Sequence, residues 1–159
     1  MNRETIQDFT RRLSQCNRGE LIIIMYDIVF AYISDAKKAY EDEDHEAYKY
    51  AIRKVQQSIQ ELMQSLDFSF EISKNLYSLY LFCKKETSRA LYENRLEGLF
   101  EAEKILRRLY GSFQTAAAED HSAPLMSNTQ QVYAGLTYGR TNLNESYLGM
   151  DYSHRGFLA

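Results

Sequence analysis

The chain has 159 residues, a formal net charge of −3, thirteen tyrosines and no tryptophan. That length gives one domain with a proper core, with room for a tail. The slightly acidic balance leaves no footprint for nucleic acid or an anionic membrane surface.

Residues Thr5 to Ser14 place Ile6, Phe9 and Leu13 at spacings of three and four, which predicts a short amphipathic helix or a strap on an apolar surface. Met1-Asn-Arg-Glu-Thr5 runs into charges instead of an apolar stretch, so no signal peptide is expected. Asn17-Arg-Gly-Glu20 reads as a capping box. It opens a first long helix, about Gly19 to Tyr40, whose stretch Leu21 to Ile33 is apolar or aromatic except at Asp27. No broad face of such a helix can meet water, and it is too short and too charged to cross a bilayer at about 20 residues. Either its own protein surrounds it, or part of its surface waits for a partner. Asp27 reads either as a contact for a partner's backbone or as a carboxylate satisfied by a tyrosine or a helix end.

The acidic turn Glu41-Asp-Glu-Asp44 follows, with Asp44 as the next cap. A second helix carries Tyr48, Ile52, Val55, Ile59, Leu62 and Leu66 on one face and Lys49, Arg53, Gln57, Gln60 and Gln64 on the other. After the corner Leu66-Asp-Phe-Ser-Phe70, capped by Asp67 or Ser69, a third helix runs from about Phe70 to Tyr92. Its apolar residues fall in two stripes: Ile72, Leu76, Leu79, Cys83 and Ala90, then Tyr77, Tyr80 and Leu91, broken by Lys84 and Thr87. A fourth helix after Asn94 repeats the rhythm through Leu99, Ala102, Leu106, Leu109 and Phe113 and fades in Ala116 to Ala118.

Four helices of roughly 20 residues with short turns predict an all-α, antiparallel up-down four-helix bundle. The bundle domain with its N-terminal strap spans 1–118. From Glu119 to Ala159 lies a Tyr- and Gly-rich, largely irregular tail with the only proline and no lysine. Its apolar clusters, among them Tyr138, Leu148 and Phe157, suit either a flexible extension or a segment that docks on the bundle or a partner.

Catalytic signals are thin. Asp42-x-x-His45 resembles a unit of di-iron bundles only superficially, since those sites project glutamates inward and the core stripes here hold none. His121 and His154 stand alone in the tail. Cys16 and Cys83 match no metal or disulfide spacing and read as reduced thiols of a cytosolic protein. With no phosphate loop, nucleophile elbow or Cys/His cluster, no enzyme, metal or cofactor is expected.

Three motifs carry a resemblance. Gly19-Glu-Leu-Ile-Ile-Ile-Met-Tyr-Asp27 resembles the opening helix of the flagellar export chaperone FliS family. Ala51 to Leu62 is similar to that family's second helix. Ser65-Leu-Asp67 followed by Lys74-Asn-Leu-Tyr-Ser-Leu-Tyr80 is similar to its "Ser-Leu-Asp … Asn-Leu-Tyr-x-Leu-Tyr" signature. Together they cover roughly residues 9 to 115. The resemblance implies a cytoplasmic chaperone that binds the disordered C-terminal segment of flagellin. It would prevent early polymerisation and deliver flagellin to the flagellar type III export apparatus. Export-gate or other flagellar proteins are further partners it allows.

The resemblance also gives the apolar helix a groove to line. The candidate client-binding residues are Ile22, Tyr26 and Asp27 on the first long helix and Leu76, Tyr77 and Tyr80 on the third, each equally readable as core. Ile6, Phe9 and Leu13 are the candidate groove cover. The chain departs from the family pattern at Arg18 (a proline there), at Ile28 (a glycine), at Phe9 (a tyrosine) and over Phe82-Cys-Lys-Lys-Glu-Thr87. The rival expectation is a structural or adaptor homodimer formed through the first long helix, with no export role.

Overall fold

A computed structural model, described over residues 1–126, contains five helices: α1 (Arg3–Gln15), α2 (Arg18–Glu41), α3 (His45–Gln64), α4 (Glu71–Glu93) and α5 (Glu97–Ala118). No strand occurs among the described residues. The helices start where short polar side chains can satisfy free N–H groups. Asn17 accepts from the Glu20 N–H at 2.8 Å, and the Glu20 carboxylate accepts from the Asn17 N–H at 3.0 Å, which completes the expected capping box. Asp44 accepts from the Ala47 N–H at 2.9 Å.

The start of α4 differs from expectation. Phe70 is its N-cap and offers no side-chain bond. Asp67 stands too far back to reach the first turn. It accepts instead from the Ser69 N–H, while its carbonyl accepts from the Ser73 hydroxyl at 2.6 Å. The corner is therefore fastened from its own backbone.

Helices α2 to α5 form a closed antiparallel ring in which each packs on its sequence neighbours and α5 returns to α2. The α2–α5 pairing runs from Gly19 beside Ala117, through Asp27 with Tyr110, to Lys37 with Glu103. Val29 and Ile33 of α2, Ile52 and Ile59 of α3, Tyr80 of α4 and Leu106 of α5 are fully buried at the centre. Each such aliphatic side chain contributes about 1.5–3 kcal/mol. Helices α4 and α5 approach so closely that a Cβ on Gly98 would lie 2.3 Å from the Glu86 carbonyl oxygen.

Two expectations about the core need correcting. In α4 the buried stripe is Leu76, Tyr80, Cys83, Thr87 and Ala90, whereas Ile72 and Leu79 face outward. Thr87 can be buried because its hydroxyl donates to the Lys84 carbonyl at 2.9 Å. Glutamates also enter the interior: Glu86 and Glu103 are both buried. Lys37 (2.5 Å) and Arg107 (2.7 Å) hold Glu103. Burial works to raise its pKa, but those two partners overcome the penalty and leave it below the usual carboxylate value.

The apolar surface of α2 is divided between two covers. Its inner face enters the ring, while Ile24 and Ile28 on the opposite side meet Phe9 and Leu13 of α1. Of the helices, α1 packs on α2 alone. Beyond α5 the chain turns back. Asp120 accepts from the Gly19 N–H at 2.9 Å, its carbonyl accepts from the Asn17 side-chain amide, and the Leu125 N–H donates to the Cys16 carbonyl. The Gly-rich remainder of the tail, with its docking alternatives, lies outside the described residues.

Candidate functional site

An apolar groove of about 210 Å³ opens at the end of the ring where α2 begins and α5 ends. All four ring helices supply walls: Ile22 from α2, Leu62 and Leu66 from the end of α3, Phe70, Ile72 and Leu76 around the start of α4, and Phe113 from α5. Ile72 and Phe70 stand out into solvent at the rim. The fastened Asp67–Ser73 corner gives them a rigid base.

Tyr80 lies at the floor, and behind it Tyr26 meets it hydroxyl to hydroxyl at 2.7 Å. The Tyr26 ring also packs on Phe113 and Tyr110, with centroids 5.6 and 5.9 Å away. Burial, the largest cause in each case, pushes Tyr26 far above the usual phenol value and raises Tyr80 as well. They stay neutral donors and acceptors, unable to serve as acids or bases near neutral pH. No group of three or more His, Cys, Asp or Glu residues that could hold a metal occurs among the described residues.

The candidate residues read from sequence separate into distinct environments. Ile22 and Leu76 line the groove, Tyr80 forms its buried floor, and Tyr26 is buried behind Tyr80 and does not line it. Tyr77 lies on the outer side of α4, its ring 5.8 Å from that of Phe68. Asp27 is remote from the groove lining. It accepts from Arg12 of α1 at 2.5 Å and from the Tyr110 hydroxyl at 2.8 Å, so one carboxylate ties α1, α2 and α5 together. This is the satisfied-carboxylate alternative read from sequence.

Phe9 is buried on Ile24, Leu13 is half-buried beside it, and Ile6 is exposed. The structure does not bring these three onto the groove that Ile22 and Leu76 line, because α1 occupies the opposite face of α2. Ile28, where the family pattern has glycine, adds to the platform under α1.

Sequence reasoning missed Phe70, Leu66 and Phe113 as groove walls. The available signal was an aromatic pair, Phe68 and Phe70, in a turn where polar residues normally sit. The partners of Asp27 were not legible either, since Arg12 and Tyr110 lie 15 and 83 residues away from it.

Residues 1–120 match the family model described as flagellar protein FliS. No curated protein matches the chain.

Proposed function

We propose a function that starts from one fact: the chain belongs to the flagellar protein FliS family, a family of flagellar export chaperones. On our reading it binds the disordered C-terminal segment of flagellin, prevents premature polymerisation and delivers it to the type III export apparatus in the cytoplasm. The observation that carries this is the open apolar groove walled by Ile22, Leu66, Phe70, Leu76 and Phe113. A disordered segment that folds into an amphipathic helix fills such a groove with apolar anchors spaced three and four residues apart. The rigid corner and the neutral tyrosine floor pre-organise the receiving surface, which lowers the entropy cost of capture. No step in this cycle needs catalysis.

Helix α1 is the element that yields. Its apolar contact is a small cluster around Phe9, and its ion pair with Asp27 is partly solvated, so it holds α2 far less firmly than the ring does. We assign it a movable cover over the Ile24–Ile28 face, a second apolar surface that a wrapping client gains when α1 swings away. The rival reading, a homodimer through α2, finds the inner face of that helix in the core and its outer face under α1.

Calorimetric titration with the C-terminal segment of flagellin tests the proposal. One-to-one binding with a large negative heat-capacity change is expected, as for coupled folding on an apolar surface. Absence of binding beside a persistent dimer in light scattering would overturn it. For α1, deletion of residues 1–14 should change client affinity and expose apolar surface to a dye. If neither changes, α1 is no cover.

A further inference from the structure

Helix α4 exposes more large apolar surface than the rest of the bundle. Ile72, Tyr77, Leu79, Leu81, Phe82 and Tyr92 are all exposed on it, whereas α1, α2, α3 and α5 expose one such residue each: Ile6, Tyr40, Tyr50 and Phe100. Ile72 and Tyr77 are accounted for at the groove end, as wall and as partner of Phe68. Leu79, at the edge of exposure, lines neither the end groove nor the hollow along α4, and Leu81, Phe82 and Tyr92 are not accounted for. They are 52, 43 and 92% exposed, and they stand on the side of α4 opposite its buried residues Tyr80, Cys83 and Thr87. Leu81 and Phe82, with Ser78, Lys84, Lys85 and Ser88, line an open hollow of about 540 Å³, and Tyr92 continues the same face at helical spacing toward the end of α4.

The charges on this face say what fits it. Lys74, Lys85 and Arg89 are exposed along it, and its acidic residues, Glu71 and Glu93, are confined to the two ends of the helix. Glu86 engages Arg89, its carboxylate oxygen 2.7 Å from the guanidinium. Among the described residues no carboxylate lies within ion-pair distance of Lys74 or Lys85. A second copy packed by two-fold symmetry would set this face against itself and bring its own cations together, which disfavours self-association here. A copy offering its acidic Glu41–Glu46 corner would make a head-to-tail contact that does not close.

We propose that the outer face of α4, centred on Leu81 and Phe82 between Lys74 and Arg89, docks an acidic amphipathic helix of a second protein, while the end groove stays available to its own ligand. The apolar pair anchors the partner and the lysines fix its register and speed its approach. Lys74 to Arg89 spans about four and a half helical turns, so the partner needs a helix of roughly 16 residues. The inference stands whatever fills the groove.

The test uses the full chain and a fluorescein-labelled peptide of about 18 residues, made of Glu, Ala and Leu with leucines at helical spacing. Its controls are a scrambled peptide of the same composition and a version with every Glu replaced by Lys. In anisotropy titrations the acidic helix should bind at least roughly tenfold tighter than either control, with affinity falling as salt rises. Leu81→Ser with Phe82→Ser, and separately Lys74→Glu with Lys85→Glu, should each weaken it by about tenfold. Phe70→Ser in the groove should leave it unchanged. All these side chains are exposed, and unaltered thermal melts would confirm that each variant folds. Equal binding of the scrambled peptide, or indifference to the lysine reversals, overturns the proposal. So does displacement of the peptide by a flagellin C-terminal segment, which would make this face part of the client site. A wild-type dimer that Leu81→Ser with Phe82→Ser converts to monomer would make a second copy the occupant and overturn it equally.

Discussion

Tyr26 and Tyr80 join the two diagonally opposed helices of the ring through a single buried hydroxyl pair, 2.7 Å apart. No α-carbon of α2 lies within 8 Å of one in α4, so contact across this diagonal is made by side chains, the paired tyrosine rings and hydroxyls among them. Tyr80→Phe should cost about 1–3 kcal/mol, because it strands the other hydroxyl in the core. Adding Tyr26→Phe should recover part of that loss. Urea unfolding of the two singles and the double gives the coupling directly, and strictly additive losses would show that the pair does not act as a unit.

Alkaline pH should unfold the protein cooperatively. Burial pushes Tyr48 up to about 12, and Tyr26 and Tyr80 are raised too. Each has a folded pKa above its unfolded value near 10, so the unfolded chain loses the proton first. Their stabilisation is therefore full below pH 10 and is lost as pH rises above it, at a limiting rate of about 1.4 kcal/mol per pH unit for each group until its folded pKa is passed, about 12 for Tyr48. Tyr48→Phe should cost about 1 kcal/mol at neutral pH, since its hydroxyl donates to the Arg95 carbonyl at 2.7 Å, and should make the alkaline fall less steep. Denaturant midpoints at several pH values from 7 to 11 check both.

Gly98→Ala decides between two opposing effects. Helix propensity favours alanine by about 1 kcal/mol. Against that, its Cβ would sit 2.3 Å from the Glu86 carbonyl oxygen, a backbone atom that moves only if α4 and α5 part. The overpacking term should win by about 1–3 kcal/mol. Thermal melting above the wild-type midpoint would refute the close approach.

Breaking the α1 tie should be local. Arg12→Ala removes a partly solvated ion pair worth about 0.5–1 kcal/mol, along with a guanidinium 5.7 Å from the Phe9 ring centre. Hydrogen exchange should speed up over residues 3–15 and stay unchanged in α3. Equal acceleration across the ring would mean that α1 is integral to the fold.

Binding and folding should separate at the groove. Phe70→Ser alters an exposed wall residue, so it should lower flagellin-segment affinity by roughly tenfold with little change in melting temperature. An unchanged affinity would move the client elsewhere on the surface.

The sequence made α3 easy to read, because a one-sided helix has one apolar face to assign. Helix α2 was legible as apolar on every side but not as to what covers each face, since a core neighbour, a packed strap and a partner all leave the same pattern. In α4 the residue types misled. Ile72 and Leu79 read as core because apolarity does not distinguish an interior from a surface meant for a partner. Thr87 read as an interruption because a hydroxyl looks polar in sequence, whereas within the helix it is satisfied by the Lys84 carbonyl one turn back and can be buried. For the groove, Ile22, Leu76 and Tyr80 were within reach of periodicity. Phe113 and Leu66 needed the ring to be closed first.

The return of Asp120 to the amino end of α2 also orders events on the ribosome. The first two helices leave the exit tunnel with the Gly19 N–H and the Asn17 amide still waiting for acceptors made a hundred residues later. Early in synthesis they can hold only a provisional arrangement, and α1 is free to sample others. The last turn of α5 and the residues up to Leu125 close the clasp, so these contacts can form only after all four ring helices have been made.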